Sequence, residues 1–425
     1  MSPSPRRIES YVQGQWRPGT GAGQTILDAS TGEPVAVVDS TGVDFAGALD
    51  YGRNVAGPKL RALSFHERAG QLKALGQALM AQKEEFYRES FHTGATRADG
   101  WVDIEGGIGT MLSYASKGRR ELPNTRVLLD GVVEPLSKDQ SFSAQHVLTP
   151  LNGVAVHINA FNFPVWGMLE KISPSLLAGV PCVVKPASQT AYLTELVVRR
   201  IIETGILPEG ALQLISGAVG DLLDHVDGQD VVTFTGSAST GRKLKTHPAV
   251  VTNSVRFTME ADSLNATILG PDGAPGTPEF DLFVREVVHE MTAKAGQKCT
   301  AIRRVIAPRA FIEPLVAAIS DRLARITLGR PDAEGTRMGP LASLDQRTEV
   351  LARIKDLQAE AEIVAGDPAD VRVASGDPER GAFLNPVLML SKDPLSASAI
   401  HDVEAFGPVA TLMPYDDLDE GIELA

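Results

Sequence analysis

The chain is short of cysteine, short of basic charge and without a long apolar run. Cys182 and Cys299 are the two cysteines of its 425 residues, too few and too far apart for a disulfide framework or a cysteine-based zinc cluster. No uninterrupted apolar stretch approaches the roughly 18 residues needed to cross a bilayer. Nothing apolar follows the arginines of MSPSPRRIESYVQGQW, so this start does not read as a secretory leader. Lys and Arg number 40 against 53 Asp and Glu, a formal net charge of −13, which gives no support to nucleic-acid binding. The cytoplasm is therefore the expected compartment, with neither membrane nor nucleic acid as partner. What remains, 43% hydrophobic and 22% charged residues, is the composition of a globular protein long enough for two or three domains.

The two cysteines sit in opposite surroundings. Cys182 lies in AGVPCVVKP, an apolar run that reads as a buried strand, and free cysteine is commonly core filler. Cys299 lies in TAKAGQKCTA, among glycine, glutamine, lysine and threonine. A thiol in a polar loop has no packing reason to be there, because structural cysteines hide among aliphatic residues.

After a short β-rich start the first part reads as helical. FHERAGQLKALGQALMAQKEEFYRESF places Leu72, Leu75, Leu79 and Phe86 at roughly helical spacing, and a glycine-rich helical stretch follows around Trp101 to Tyr114. From Gly153 strands and helices alternate: GVAVHIN, PVWGMLEKISPSLLAG, PCVVKP, QTAYLTELVVRRIIETG, ALQLIS, VGDLLDHV, VVTFTG, STGRKLKTH and SVRFTME. This is the pattern of βαβ units around a parallel sheet, in which ligands bind beyond the carboxyl ends of the strands. A Gly/Pro-rich linker, LGPDGAPGTPEFD, leads into a helix with Phe283, Val287 and Met291 on one face. Gly296 is expected to end it, which puts Cys299 on the loop before the strand RRVIAP. The last residues, GIELA, stop in mid-pattern.

Several turns carry candidate chemistry. FTGSASTGRKL runs from a strand into a helix, a geometry whose backbone N–H groups suit phosphate oxygens, although Arg242 and Lys243 stand where a P-loop needs lysine and a hydroxyl residue. Lys185, at a strand's carboxyl end, is either a solvated charge or a group that fixes a ribose or phosphate. Ser188, three residues on, is neutral and leaves room for a 2′-phosphate that an acid would repel. Asn162, between Phe161 and Phe163, is either a turn former or an amide donor to an oxyanion. Glu260, read as following an apolar strand, is either solvent-facing or a general base. HEMTA begins like a zinc motif, but Ala293 stands in place of the second histidine, so no metal is expected.

Taken together, FNFP (Phe161–Pro164), VVKPAS (Val183–Ser188), FTGSASTG (Phe234–Gly241), GQKC (Gly296–Cys299) and EAFGPV (Glu404–Val409), in this order, resemble the aldehyde dehydrogenase superfamily from about Tyr11 to the last residue. The resemblance implies an α/β fold of that type, with a Rossmann-type cofactor domain at 1–130 and 151–261, a β-hairpin oligomerisation element at 131–150 and an α/β catalytic domain at 262–425, the last expected to be incomplete at its C-terminus. It implies Cys299 as nucleophile, Asn162 as oxyanion donor and Glu260 as general base. It also sets Phe161, Lys185, Ser188, Gly236, Ser237, Glu404 and Phe406 around a dinucleotide, expected to be NADP, with NAD the weaker alternative. A homodimer is implied as well. Members commonly carry Leu-Gly-Gly after the glutamate, whereas this chain has Ala261 and Asp262; the EADSLN variant is similar to a branch acting on semialdehydes of CoA thioesters from aromatic degradation. The reaction so implied is oxidation to the acid through a cysteine thioester and hydrolysis. The alternatives weighed are acyl transfer to CoA, against which Glu260 speaks, and a catalytically silent protein on the same fold.

Overall fold

A computed structural model describes residues 5–425; the first four residues of the expected cofactor domain lie outside the described residues. The chain divides into two compact units. The first comprises Met1–Ile26, Ala36–Tyr87 and Trp101–Ala261, the second Leu27–Val35, Arg88–Gly100 and Asp262–Ala425. Two N-terminal segments thus cluster with the second unit, where local bonds hold them: Asp28 Oδ2 lies 2.6 Å from His92 Nδ1, and the Ala382 N–H donates to Ala29 O at 2.7 Å.

The first unit is built on a seven-stranded sheet. In space its strands run Arg256–Ala261, Val231–Gly236, Ala155–Ile158, Cys182–Lys185, Leu212–Leu214, Glu9–Val12 and Gln15–Pro18. The first five are parallel, and the last two are added antiparallel. Strand order reverses between Ala155–Ile158 and Val231–Gly236, the place where such sheets open a crevice at their carboxyl ends. The central strands are buried on both faces, as crossover helices require: Ala155, Val156, Cys182 and Val183 are at most 2% exposed, and Val156, Val183 and Val232 pack with Leu49 and Phe45. Leu72, Leu75, Leu79 and Phe86 are all buried, so the helical spacing read from the sequence marks a true core face. Helix Trp166–Ala178 stops at Gly179, whose φ of +87° is the left-handed cap that glycine adopts without strain.

Local departures from the sequence reading have local causes. The stretch after Trp101 starts as a wider π-type turn, Trp101–Gly106, before the α-helix Gly107–Arg120. A Cβ on Gly107 would come within 2.7 Å of Trp166 Cα, so close helix approach explains that glycine. VGDLLDHV forms one 3₁₀ turn, Leu222–His225. Strands Leu128–Pro135 and Ser143–Leu148 pair as an antiparallel hairpin that is exposed along almost its whole length.

The second unit carries a five-stranded sheet, Asn265–Ile268, Ile302–Pro308, Val409–Tyr415, Val387–Leu390 and Glu362–Ala365, antiparallel at the last pair. Helices Pro278–Thr292 and Ile312–Leu323 cover it through Val287, Met291, Leu315 and Ile319.

Candidate active site

In the first unit the candidate residues gather at the carboxyl ends of the parallel strands. Lys185 ends its strand in register with Ile158 of the next one. It is half-buried, and burial, with no carboxylate offsetting it, lowers its ammonium to about 8. A desolvated cation in that position fits an anionic ligand. Ser188 opens the short turn Ser188–Thr190 that follows. Gly236 ends Val231–Gly236, and a Cβ there would come within 2.7 Å of the Phe234 ring. Ser237 caps helix Ala238–Lys245, its Oγ accepting the Thr240 N–H at 3.4 Å. This capped turn, directly beside the order reversal, and Lys185, one strand further along, are groups suited to the phosphates of a dinucleotide.

Asn162 is 7% exposed, in a turn held from three sides. The Thr190 hydroxyl donates to Phe161 O at 3.3 Å, the Thr194 hydroxyl donates to Pro164 O at 3.2 Å, and buried Asp103 Oδ1 accepts the N–H groups of Val165 and Trp166 at 3.1 and 2.8 Å. The helix that follows thus begins with its orphan donors satisfied by a distant carboxylate.

Glu260 lies inside the exposed edge strand Arg256–Ala261 rather than beyond an apolar one. A chain of polar groups leads to it. Lys171 Nζ donates to Asn159 Oδ1 at 3.2 Å and to Thr235 Oγ1 at 2.6 Å, and the Thr235 hydroxyl donates to Glu260 Oε2 at a long 3.4 Å. Burial lowers the Lys171 ammonium and raises the neighbouring Glu170 carboxyl, which Glu260 pushes further up. Sequence reading passed over Lys171, Thr235 and Glu170. Lys171 and Glu170 look like ordinary charges on a helix; a lysine on the sheet-facing side of a buried helix was the available signal.

In the second unit the helix before Cys299 ends at Thr292, earlier than expected. Lys294, Ala295 and Gly296 then take φ of +52°, +50° and +69°. Left-handed backbone costs roughly 1–2 kcal/mol per non-glycine residue, and a Cβ on Gly296 would overlap Gly407 O. The turn is held by fixed acceptors: Asp99 Oδ1 takes the Lys294 N–H at 2.7 Å, and Gln297 donates through Nε2 to Lys294 O at 2.9 Å while accepting the Ala342 N–H at 3.0 Å. Cys299 emerges exposed. Asn265 Nδ2 donates to Cys299 O at 2.6 Å and to Ala301 O at 3.0 Å. Cys182, by contrast, is fully buried, and burial pushes its thiol up.

Glu404 is half-buried. Its Oε2 accepts the Ser263 N–H at 3.0 Å, and burial raises its carboxyl while Arg303 pulls the other way. Phe406, also half-buried, is anchored through its carbonyl, which accepts from Gln346 Nε2 at 2.9 Å. Asn265 and Arg303 are further residues that the sequence reading did not single out.

Comparison with known proteins identifies the family. The family model for the aldehyde dehydrogenase family matches residues 16–425. The 3,4-dehydroadipyl-CoA semialdehyde dehydrogenase of Aromatoleum evansii is 46% identical over 420 residues, 99% of this chain and 81% of that protein. The alpha-ketoglutaric semialdehyde dehydrogenase of Bacillus subtilis is 27% identical over 98% of this chain and 82% of its own length. Crystal structures of betaine aldehyde dehydrogenase from Staphylococcus aureus share the fold, with a TM-score of 0.86 at 23–24% identity over 98% of this chain and 79–80% of theirs. The chain belongs to the aldehyde dehydrogenase family.

Proposed function

We propose that this aldehyde dehydrogenase oxidises a CoA-linked semialdehyde to the carboxylic acid, with NADP preferred to NAD as acceptor. The exposed thiol of Cys299 on a rigid left-handed turn is the observation that carries the chemistry. Similarity to a CoA semialdehyde dehydrogenase over almost the whole chain supports the substrate class. The desolvated ammonium of Lys185, with neutral Ser188 rather than an acid beside it, supports NADP. Phe161, Gly236, Ser237, Glu404 and Phe406 complete the set that would hold the dinucleotide.

In this reading the Cys299 thiolate adds to the aldehyde carbon, and the Asn162 amide and Cys299 N–H hold the oxyanion. Bound NADP supplies the acceptor for the hydride lost as the thiohemiacetal becomes a thioester on Cys299. Glu260, oriented by Thr235, then takes a proton from water; the resulting hydroxide attacks the thioester and the thiolate leaves. Splitting one oxidation into two easier steps is the general gain of covalent catalysis.

We also propose a cytoplasmic homodimer assembled through the hairpin, which leaves Val132, Val133 and Phe142 more than half exposed and presents unpaired strand edges. Among the described residues, no helix is long and apolar enough to cross a membrane.

The decisive assay follows reduced-nicotinamide formation from a CoA-linked semialdehyde without added free CoA, with NADP and NAD in parallel and Cys299→Ala as control. Turnover that prefers NADP and vanishes in the variant is expected. Turnover that waits for added CoA would assign the acyl-transfer reaction instead and remove Glu260 from its role.

A further inference from the structure

Arg303 takes part in none of these steps, yet its surroundings are unusual. Its side chain is 4% exposed, and a buried guanidinium is tolerated when acceptors surround it. Most of its acceptors are main-chain carbonyls. Nη1 donates to Gly407 O at 2.6 Å, and Nη2 to Gly296 O at 2.8 Å, with longer bonds to Lys298 O and Glu404 Oε1, both at 3.4 Å. Nε has no acceptor among the described residues, and the guanidinium carbon stands 5.6 Å from the centre of the Phe406 ring. Its short bonds go to the Cys299 turn and to the segment after Glu404.

We propose that Arg303 is a positioning residue for the nucleophile, tying the Gly296–Cys299 turn to the Glu404–Gly407 segment. The peptide between Lys298 and Cys299 is planar, with its C=O and N–H pointing in opposite directions. With the Lys298 carbonyl held by the Ala301 N–H at 3.2 Å and by the guanidinium at 3.4 Å, the Cys299 N–H is turned away from Arg303 and kept there, as a preorganised oxyanion donor must be held. Arg303 and Cys299 interact electrostatically, and a cation near a cysteine raises its reactivity. Through its contacts with Glu404 and Phe406, Arg303 also fixes two residues assigned to the dinucleotide. The kinetic part of this inference rests on the thioester reading given above; the thiol part does not.

The test compares the wild type with Arg303→Met and Arg303→Lys. Iodoacetamide alkylation of Cys299, kcat, the KM for NADP and the melting temperature are measured for each. In the Met variant, alkylation is expected to slow about tenfold and kcat to fall about 10²-fold, the scale of a displaced oxyanion donor, while the KM for NADP rises as Glu404 and Phe406 lose their tie to the guanidinium. The Lys variant restores charge without the fork, so alkylation recovers in part while kcat stays about tenfold low. If the Met variant fails to fold, the Lys variant decides alone. A lowered melting temperature with alkylation and kcat within about twofold of wild type would mean that Arg303 only packs, and would overturn the proposal. Alkylation needs neither aldehyde nor dinucleotide, so a wild type that turns over no aldehyde sinks the enzymatic reading while the alkylation rates still judge Arg303.

Discussion

Cys299 and Glu260 are assigned to different halves of one reaction, and single substitutions separate them. Cys299→Ala removes the acceptor of the acyl group, so no reduced nicotinamide forms. Glu260→Gln leaves the first half intact: rapid-quench or stopped-flow work is expected to show a burst equal to the enzyme concentration, then turnover slowed by about 10²–10⁴-fold, the range of a lost general base. Thr235→Val, which removes the hydroxyl between Lys171 and Glu260, keeps the burst and slows the steady state about tenfold; a lost burst would place Thr235 in the first half instead. Lys185 gives a pH test. Its ammonium, lowered by burial to about 8, is charged below that pH and neutral above it. NADP affinity is therefore expected to fall as pH rises from about 7 to about 9, and Lys185→Met to bind weakly and without that dependence in a fluorescence titration.

At the scale of elements, most of the architecture was legible because it is local. Alternating apolar strands and amphipathic helices from Gly153 onward, with turn glycines such as Gly179, depend on neighbours a few residues away. What sequence could not show is what acts across the fold. Asp103 starts the helix that follows Asn162 although 62 residues separate it from Val165; Lys171 reaches Thr235 across 64 and Arg303 reaches Gly407 across 104. Each looks like an ordinary charge until the chain folds. The left-handed run before Cys299 was hidden for the same reason, since Lys294 and Ala295 have no propensity for it and Asp99 imposes it from afar. Two outcomes follow. Asp103→Ala leaves the Val165 and Trp166 N–H groups without their acceptor and is expected to cost about 2–4 kcal/mol in denaturant unfolding. Gly296→Ala, which combines a left-handed φ with an overlap on Gly407 O, is expected to abolish turnover.

For the whole molecule, the family was readable from five short motifs because they mark turns at which backbone geometry and chemistry coincide. The formal charge of −13 has its own consequence for an anionic cofactor. Diffuse negative charge repels NADP at long range, while Lys185 is assigned to attract it at contact. Salt screens the first more than the second, because the Debye length near 0.1 M is about 10 Å. Stopped-flow association of NADP is therefore expected to quicken as ionic strength rises from about 20 to about 200 mM; a slowing would show that a local positive field governs approach.

The contrast between the two thiols also makes the native chain a ready optical reporter. Cys182 is sealed in the core with a raised thiol, whereas Cys299 stands exposed on its turn. A maleimide fluorophore should attach at one position without any cysteine being engineered away, and its emission would report on the surroundings of the Cys299 turn in a protein whose reaction the label has stopped.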